Sequence, residues 1–135
     1  MKVFIDTNIV ISAILFPKGK TATALPYILI NHIVVVSSYT KVECFEVFQK
    51  KFPTKTSLLE NFFETIGFEI FNCPTEYDVS QFPEIRDNKD LPLLVSAILS
   101  DSDILLTGNK DFYDLKIEKP LIISPTQYYE FIKNS

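Results

Sequence analysis

Short, mostly apolar runs alternate along the chain with longer segments of helical periodicity, and this alternation limits the possible folds more than any other feature of the sequence. The runs predict strands over residues 2–6, 33–36, 68–71, 104–107 and 121–123. Uninterrupted apolar runs are typical of strands buried on both faces, and parallel strands need a long, usually helical, connection. The sequence therefore predicts an α/β fold, a three-layer α/β/α sandwich around a mainly parallel sheet of roughly five strands.

The segments between the runs have the spacing and end signals of helices. We expect helices over 9–15, 21–31, 38–50, 58–66, 90–99 and 125–132. In the third of them Phe45, Phe48 and Phe52 fall on one face, which is typical of a helix packed on a core. The segment from Ser124 to Gln127 has the form of a capping box with proline at the first helical position. Residues 72–88 are polar and contain two prolines, so we expect a loop that includes one short helix.

Length and composition indicate one globular domain over residues 1–135. The chain is 47% hydrophobic and 22% charged, which is typical of a folded protein. No apolar run reaches the ~18 residues needed to span a bilayer, and the amino terminus lacks the pattern of a signal peptide. We therefore expect a cytoplasmic protein without membrane contact, in which Cys44 and Cys73 are reduced thiols in the core.

Polar side chains follow the first and the fourth predicted strands, at the point where each strand ends. Asp6, Thr7 and Asn8 follow the first strand, and Asn109 and Asp111 follow the fourth. In open α/β sheets ligands bind beyond the carboxyl ends of the strands, so these residues are candidates for a functional site. Each also has a structural alternative: Asp6 or Thr7 could cap the next helix, Asp111 could cap a segment over 112–115, and Asn109 suits a turn.

Two further acids lie at the beginnings of predicted helices. Asp90 shares a helical face with apolar residues, so its carboxylate is directed inward, which is costly unless it is paired or bound to a metal. The alternative is a first-turn acid that interacts with the helix dipole. For Glu43 the alternative is a capping box with Thr40, and Glu46, one turn later, competes as the functional acid. Asp87 is a reserve candidate because it is close to Asp90.

Several carboxylates without an accompanying set of histidines or cysteines favour a hard cation such as Mg²⁺ or Mn²⁺. A net charge of −4 fits such a site and is unusual for a protein that holds duplex DNA through its phosphates. The single histidine excludes a paired-histidine nuclease within one chain, and no Gly-x-Ser-x-Gly motif of a serine hydrolase occurs. We expect His32 at a helix carboxyl terminus, where a cation complements the dipole, rather than in a Cys–His pair.

Five motifs in sequence order resemble the PIN-domain (PilT N-terminus) family. They are Phe4–Asn8, Ser38–Glu43, Asp90–Ala97, Asp103–Phe112 and Ile123–Tyr129, and they span nearly the whole chain. The resemblance implies a Rossmann-like sandwich that carries a metal-dependent ribonuclease site. Within the family, the chain looks most like the VapC-like toxin components of type II toxin–antitoxin systems.

The resemblance assigns roles to the candidate acids. By motif position Asp6, Glu43 and Asp90 match the family's three main acids, and Asn109 with Asp111 matches a variable fourth acidic position. The implied catalytic residues are these three acids and Asp111, and the implied metal ligands are Asp6, Asp90, Asp111 and Asn109. Many members have Asp where Asn109 stands, and an amide ligates a cation less strongly than a carboxylate does.

The resemblance also implies supporting and substrate-binding residues. Thr7 and Asn8 match the polar residues that support the first acid. The lysines that fall in loops or first turns near the expected site, where they can meet phosphates, are Lys18, Lys20, Lys41, Lys89 and Lys110. Of these, Lys18, Lys20 and Lys110 are the main candidates for substrate binding. The alternative for each of these lysines is an ordinary solvated surface position.

The implied reaction is hydrolysis of an RNA phosphodiester with Mg²⁺ or Mn²⁺ as cofactor. The resemblance further implies an antitoxin protein as partner and a homodimer. One alternative is a catalytically weak or inactive PIN-like domain that binds protein or RNA, with Asn109 as the mark of lost chemistry. Another is a phosphatase with Asp6 as nucleophile, but such folds carry a second acid two residues later, where this chain has Asn8.

Overall fold

The computed structural model describes residues 1–134 and has a five-stranded, all-parallel sheet at its centre. The strands lie side by side in the order β3-β2-β1-β4-β5. Their bounds are β1 (Lys2–Ile5), β2 (Ile33–Ser37), β3 (Glu69–Phe71), β4 (Ile104–Leu106) and β5 (Leu121–Ile123). The five predicted strands are therefore present, and the predicted parallel sheet is confirmed.

Helices connect successive strands. They are α1 (Thr7–Leu15), α2 (Lys20–Asn31), α3 (Ser38–Lys51), α4 (Thr56–Thr65), α5 (Leu91–Leu99), α6 (Lys110–Tyr113) and α7 (Pro125–Asn134). Short 3₁₀ turns lie at Pro53–Lys55, Val79–Gln81 and Asn88–Asp90. The loop predicted over 72–88 is confirmed with one short 3₁₀ turn inside it, and a second turn begins at its last residue.

Alternating side chains of the strands divide the interior into two cores, one on each face of the sheet. Val3 and Ile5 of β1 pack with α1, α2, α3 and α4, whereas Phe4 packs with α5 and α6 on the opposite face. Phe48 of the predicted aromatic stripe is fully buried in the first core, and Phe45 and Phe52 pack against it. The structure is the three-layer α/β/α sandwich that the sequence predicts.

Two helix starts test the capping boxes that the sequence suggests: one is wrong and the other is confirmed. Helix α3 begins at Ser38, where the Ser37 hydroxyl accepts the Tyr39 backbone N–H at 3.1 Å. The capping box from Thr40 to Glu43 is therefore wrong, because both residues lie inside the helix. The capping box at Ser124 is confirmed: its hydroxyl accepts the backbone N–H of the residue three positions later at 3.1 Å, and its own N–H donates to that side chain at 2.8 Å.

The two cysteines and the single histidine lie outside the candidate acidic group. Cys44 and Cys73 are free thiols, as expected, but only Cys44 is fully buried in the core. His32 follows the last turn of α2, where the sequence places it. Burial, with the nearby amino terminus, lowers the pKa of His32, which disfavours the charged ring that would complement the helix dipole.

Within residues 1–134, no helix is long and apolar enough to cross a lipid bilayer.

Candidate active site at the carboxyl edge of the sheet

The candidate site lies where the strand order reverses. From β1 the chain builds the sheet outward through β2 and β3, and then returns to place β4 and β5 on the other side of β1. Ile5 pairs with Leu106, so Asp6 and Thr107 emerge next to each other from the two central strands. In doubly wound sheets this reversal point opens a crevice that binds ligands. The sheet topology therefore brings together the polar residues that follow the first and fourth strands, at the edge where the sequence places them.

Asp6 is the most buried acid of the site, with only 5% of its surface exposed. The Thr107 hydroxyl donates a hydrogen bond of 2.6 Å to Asp6 Oδ2. Asp6 occupies the position before the first turn of α1 and its side chain forms no well-aligned capping hydrogen bond, although the backbone N–H of Asn8 lies near enough to lower the pKa of its carboxyl. The alternative in which Asp6 only caps a helix therefore does not explain why a carboxylate is buried here.

Burial raises the pKa of the Asp6 carboxyl from 3.8 to about 6. The Thr107 hydrogen bond opposes this change because it stabilises the charged form, whereas the nearby acids Asp90 and Glu43 raise the pKa further. The three acids that match the family motif therefore influence one another electrostatically. Such mutual repulsion is typical of a site that a cation completes.

Asn109 orients Asp90. The Asn109 side chain donates from Nδ2 to Asp90 Oδ2 at 2.9 Å, while its Oδ1 accepts the Asp111 backbone N–H at 3.0 Å. A backbone N–H can only donate, so this contact fixes which way the amide faces. Asn109 thus caps α6, and the alternative in which Asp111 caps this segment is wrong. In this arrangement Asn109 is a hydrogen-bond partner of Asp90 rather than a free metal ligand.

Asp90 and Asp111 form the outer part of the acidic group. Asp90 ends the 3₁₀ turn before α5 and is half-buried, without a side-chain capping bond. Burial raises its pKa, and nearby Asp87, Asp111 and Glu43 raise it further, against the opposing hydrogen bond from Asn109. Asp111 lies 4.0 Å from the exposed Arg86 guanidinium. The reserve candidate Asp87 is exposed, and its carboxylate caps the 3₁₀ turn instead.

The structure distinguishes the two glutamates of α3. Glu43 is half-buried and acts electrostatically on both Asp6 and Asp90, whereas Glu46 is exposed. The Thr7 hydroxyl donates to the Thr40 hydroxyl at 3.3 Å, which ties α1 to α3 one turn before Glu43. These contacts favour Glu43 as the functional acid and give Thr7 its supporting position.

The candidate substrate residues fall into two groups. Asn8 is exposed beside Asp6 and lines a cavity of about 470 Å³ together with Lys20 and Lys110. Lys18 is exposed in the turn between α1 and α2 and does not line this cavity. Two of the three predicted lysines are therefore brought together, and the third is separate from them.

Sequence reasoning missed the role of Thr107. It is fully buried, its hydroxyl bonds Asp6, and the same hydroxyl accepts the Asn109 backbone N–H at 3.0 Å. Tyr113 Oη donates to the Thr107 carbonyl at 2.7 Å and secures the strand end. The available signal was a hydroxyl residue directly after the fourth apolar run, at the position that corresponds to Asp6 after the first run.

The donor set determines which metal would fit. Among residues 1–134, no three side chains of His, Cys, Asp or Glu stand together in a group that could hold a metal ion by themselves. Mg²⁺ usually binds through one or two carboxylates and takes its remaining ligands from water and substrate phosphate. Asp6 and Asp90 are hard oxygen donors of this kind, and burial, with the neighbouring acids, raises the pKa of both carboxyls, so a bound cation would favour their ionised forms. The residues therefore fit a cation of the Mg²⁺ or Mn²⁺ type.

Comparison with known proteins agrees with the geometry. The structure is similar to that of VapBC2 from Rickettsia felis bound to a DNA fragment from their promoter, with a TM-score of 0.71 and 21% identity, over 92% of this chain and 98% of that chain. No curated protein sequence matches the chain. A family model described as PIN domain matches residues 2–111. The chain therefore belongs to the PIN-domain family.

Proposed function

We propose that the protein is a divalent-metal-dependent ribonuclease and the toxin component of a type II toxin–antitoxin system. The observation that carries the proposal is the buried Asp6 carboxylate at the reversal point of the sheet, held by Thr107 and acted on by two further acids. Membership of the PIN-domain family and the likeness to the VapBC2 structure support the same conclusion. The proposal places the protein in the cytoplasm, where its RNA substrate is.

In this proposal Asp6 and Asp90 hold the cation, and Asn109 keeps Asp90 in place. The bound cation would neutralise charge at the scissile phosphate and help to activate water for an in-line displacement. Glu43 lies on α3, close enough to act electrostatically on both Asp6 and Asp90, and would accept a proton from the attacking water. Asp111 assists from the first turn of α6, on the side of Asp90.

Thr107 has a positioning role in the proposed reaction. Its hydroxyl donates to one carboxylate oxygen of Asp6 and so fixes the carboxylate rotamer. The second oxygen, Oδ1, then remains the atom with which Asp6 can bind a cation. Because the bond also favours the ionised form, it keeps Asp6 ready to bind metal near neutral pH.

The test is cleavage of a mixed pool of single-stranded RNA by purified protein in Mg²⁺ or Mn²⁺. We expect metal-dependent cleavage that is abolished by EDTA and by Asp6→Asn. A parallel reaction with single-stranded DNA of the same sequences shows whether cleavage requires ribose rather than deoxyribose. If the folded wild type, free of any bound protein, cleaves no RNA with either metal, the proposal fails.

A second candidate function is a PIN domain without catalysis that binds protein or RNA. Two observations favour it: Asn109 stands at the variable acidic position, and the described residues contain no ready group of three acids. The two functions differ in their response to metal. Mn²⁺ should raise the melting temperature of an enzyme through Asp6, whereas a non-catalytic domain should show no such change.

We also propose an antitoxin partner, which the likeness to a VapBC2 structure supports, and a homodimer. Size-exclusion chromatography with light scattering of the purified chain should give twice the mass of the sequence. Co-expression with the protein encoded beside it should yield a complex that inhibits cleavage. A monomer that no neighbouring gene product binds would contradict both parts.

A further inference from the structure

A groove of about 470 Å³ runs from the acidic site toward the amino ends of α2 and α7. It adjoins the site because Asn8 lies two residues after Asp6 and Lys110 directly follows Asn109. Its volume falls in the range of about 300–1,000 Å³ that is usual for ligand sites. Its polar lining includes Asn8, Lys20, Thr21, Lys110, Ser124 and Thr126.

The groove has the chemistry of a site for a sugar–phosphate backbone. Lys20 and Lys110 supply two cations, and the remaining polar side chains are hydroxyls and an amide that can bond to ribose or phosphate oxygens. Among the described residues that line the groove there is no acid. Lys20 Nζ also lies 5.9 Å from the centre of the Tyr129 ring, which restrains this amine at the side of the groove.

An aromatic side chain completes the groove. Tyr113 lines it with 42% of its surface exposed, while its hydroxyl is held by the Thr107 carbonyl at 2.7 Å. An aromatic ring that is fixed at one end and partly exposed can stack an unpaired base. The same strand end therefore positions both the acid Asp6 and this ring.

The opposite flank of the acidic site has the reverse charge. The segment over 72–89 carries the exposed acids Glu76, Asp78, Glu84 and Asp87, against two bases, Arg86 and Lys89. Its apolar residues pack on the α5 face, so it borders the site on the side of Asp90. An anionic strand that reaches the acids is repelled on this flank and attracted on the side of Lys20 and Lys110.

We propose that this groove binds the backbone of single-stranded RNA next to the scissile phosphate, with Lys20 and Lys110 on phosphates and Tyr113 under a base. The inference rests on the proposed ribonuclease function and adds the side from which the strand leaves the acids. Lys18 lies outside the groove, so the inference assigns phosphate contacts to Lys20 and Lys110 but not to Lys18.

Binding without metal tests the groove separately from catalysis. Fluorescence anisotropy of a labelled single-stranded RNA of about 12 nucleotides is measured in EDTA, in an Asp6→Asn background, across a KCl series. Lys20→Ala and Lys110→Ala should each weaken binding several-fold at low salt. Together they should lower the slope of log affinity against log salt by about 1.4, since each lost phosphate contact on a single strand accounts for about 0.7.

Lys18→Ala is the matched control, because this lysine is exposed and only two residues from Lys20. Lys89→Ala is the control for the opposite flank. Both should leave the affinity within about twofold and the salt slope unchanged. An unchanged slope in the Lys20/Lys110 double variant, an equal loss in either control, or no RNA binding at all overturns the inference.

The outcomes for the groove and for the enzyme can be told apart. If the wild type cleaves RNA but the groove variants bind as tightly as their parent, the groove inference fails and the ribonuclease proposal stands. If the groove variants lose binding as expected but no metal supports cleavage, the ribonuclease proposal fails and the groove remains an RNA site.

Discussion

Asp6→Asn should make the metal-free protein more stable at neutral pH while it removes activity. The reason is that Asp6 is 5% exposed and its pKa is raised by burial to about 6, compared with 3.8 for an exposed aspartate. The ionised Asp6 carboxylate therefore destabilises the folded state relative to the unfolded state. Asparagine has nearly the same shape, carries no charge and can still accept the Thr107 hydrogen bond.

The magnitude follows from the pKa difference between the folded and unfolded states. The pKa of Asp6 is higher in the folded state than in the unfolded state. Its contribution to the free energy of unfolding is therefore fully present below about pH 4 and is lost as the pH rises through about 6. The difference of about two pH units corresponds to about 3 kcal/mol of unfolding free energy. Asp6→Asn has no such titration, so it should gain about that amount relative to wild type as the pH rises from 4 to 7.

Urea unfolding of both proteins in EDTA between pH 4 and pH 8 measures this difference. Asp103→Asn is the contrasting control: hydrogen bonding to the Lys2 backbone N–H, with help from Lys119, lowers the pKa of Asp103. Its contribution is present at neutral pH and lost as the pH falls, so the control should show the opposite slope. A wild-type minus Asp6→Asn difference that does not change with pH would refute the reasoning.

Adding Mg²⁺ or Mn²⁺ should reverse the order of stability. A cation bound by Asp6 stabilises only the folded wild type, by an amount that grows with the concentration of metal above its dissociation constant. Asp6→Asn should respond little. Urea unfolding curves measured with and without saturating metal therefore distinguish the destabilisation caused by the buried Asp6 charge from the stabilisation gained when that charge binds a cation.

Three other substitutions test single contacts of the site. Glu43→Gln should abolish RNA cleavage while Glu46→Gln leaves it unchanged, as measured by the rate in Mn²⁺, because only Glu43 acts on the buried acids. Asn109→Asp should lower the melting temperature in EDTA, because it exchanges a hydrogen-bond donor for a like charge, and should tighten Mn²⁺ binding by calorimetry. Thr107→Val removes a hydrogen bond to the charged Asp6 and should cost about 1.5–3 kcal/mol of unfolding free energy at neutral pH, and less at pH 4.

The sequence was sufficient to predict the sheet, since five apolar runs separated by helical spacing leave few alternatives to a parallel α/β fold. It also identified Asp6, because a carboxylate directly after a buried strand lies at the edge where ligands bind. Helix ends were predicted less well. The suggested cap at Thr40 lies inside α3, and the observed cap, Ser37, depends on where β2 stops.

The contacts around the acids could not be predicted, because they join residues that are distant in the sequence. Thr107 and Asp6 are 101 residues apart and meet only because β4 inserts beside β1. On sequence grounds Asn109 could be assigned equally well to a metal site or to a turn. Only the direction of the Asp111 backbone N–H showed that its oxygen is used in a cap and its nitrogen holds Asp90.

The most direct test of the account is the position of a bound metal. Crystals of the wild type grown with Mn²⁺ should show an anomalous difference peak within coordination distance of the carboxylates of Asp6 and Asp90. The same experiment with Asp6→Asn should show no peak there. A well-ordered wild-type site without a peak at saturating Mn²⁺, or a peak held by other residues, would contradict the assignment of these acids as the catalytic centre.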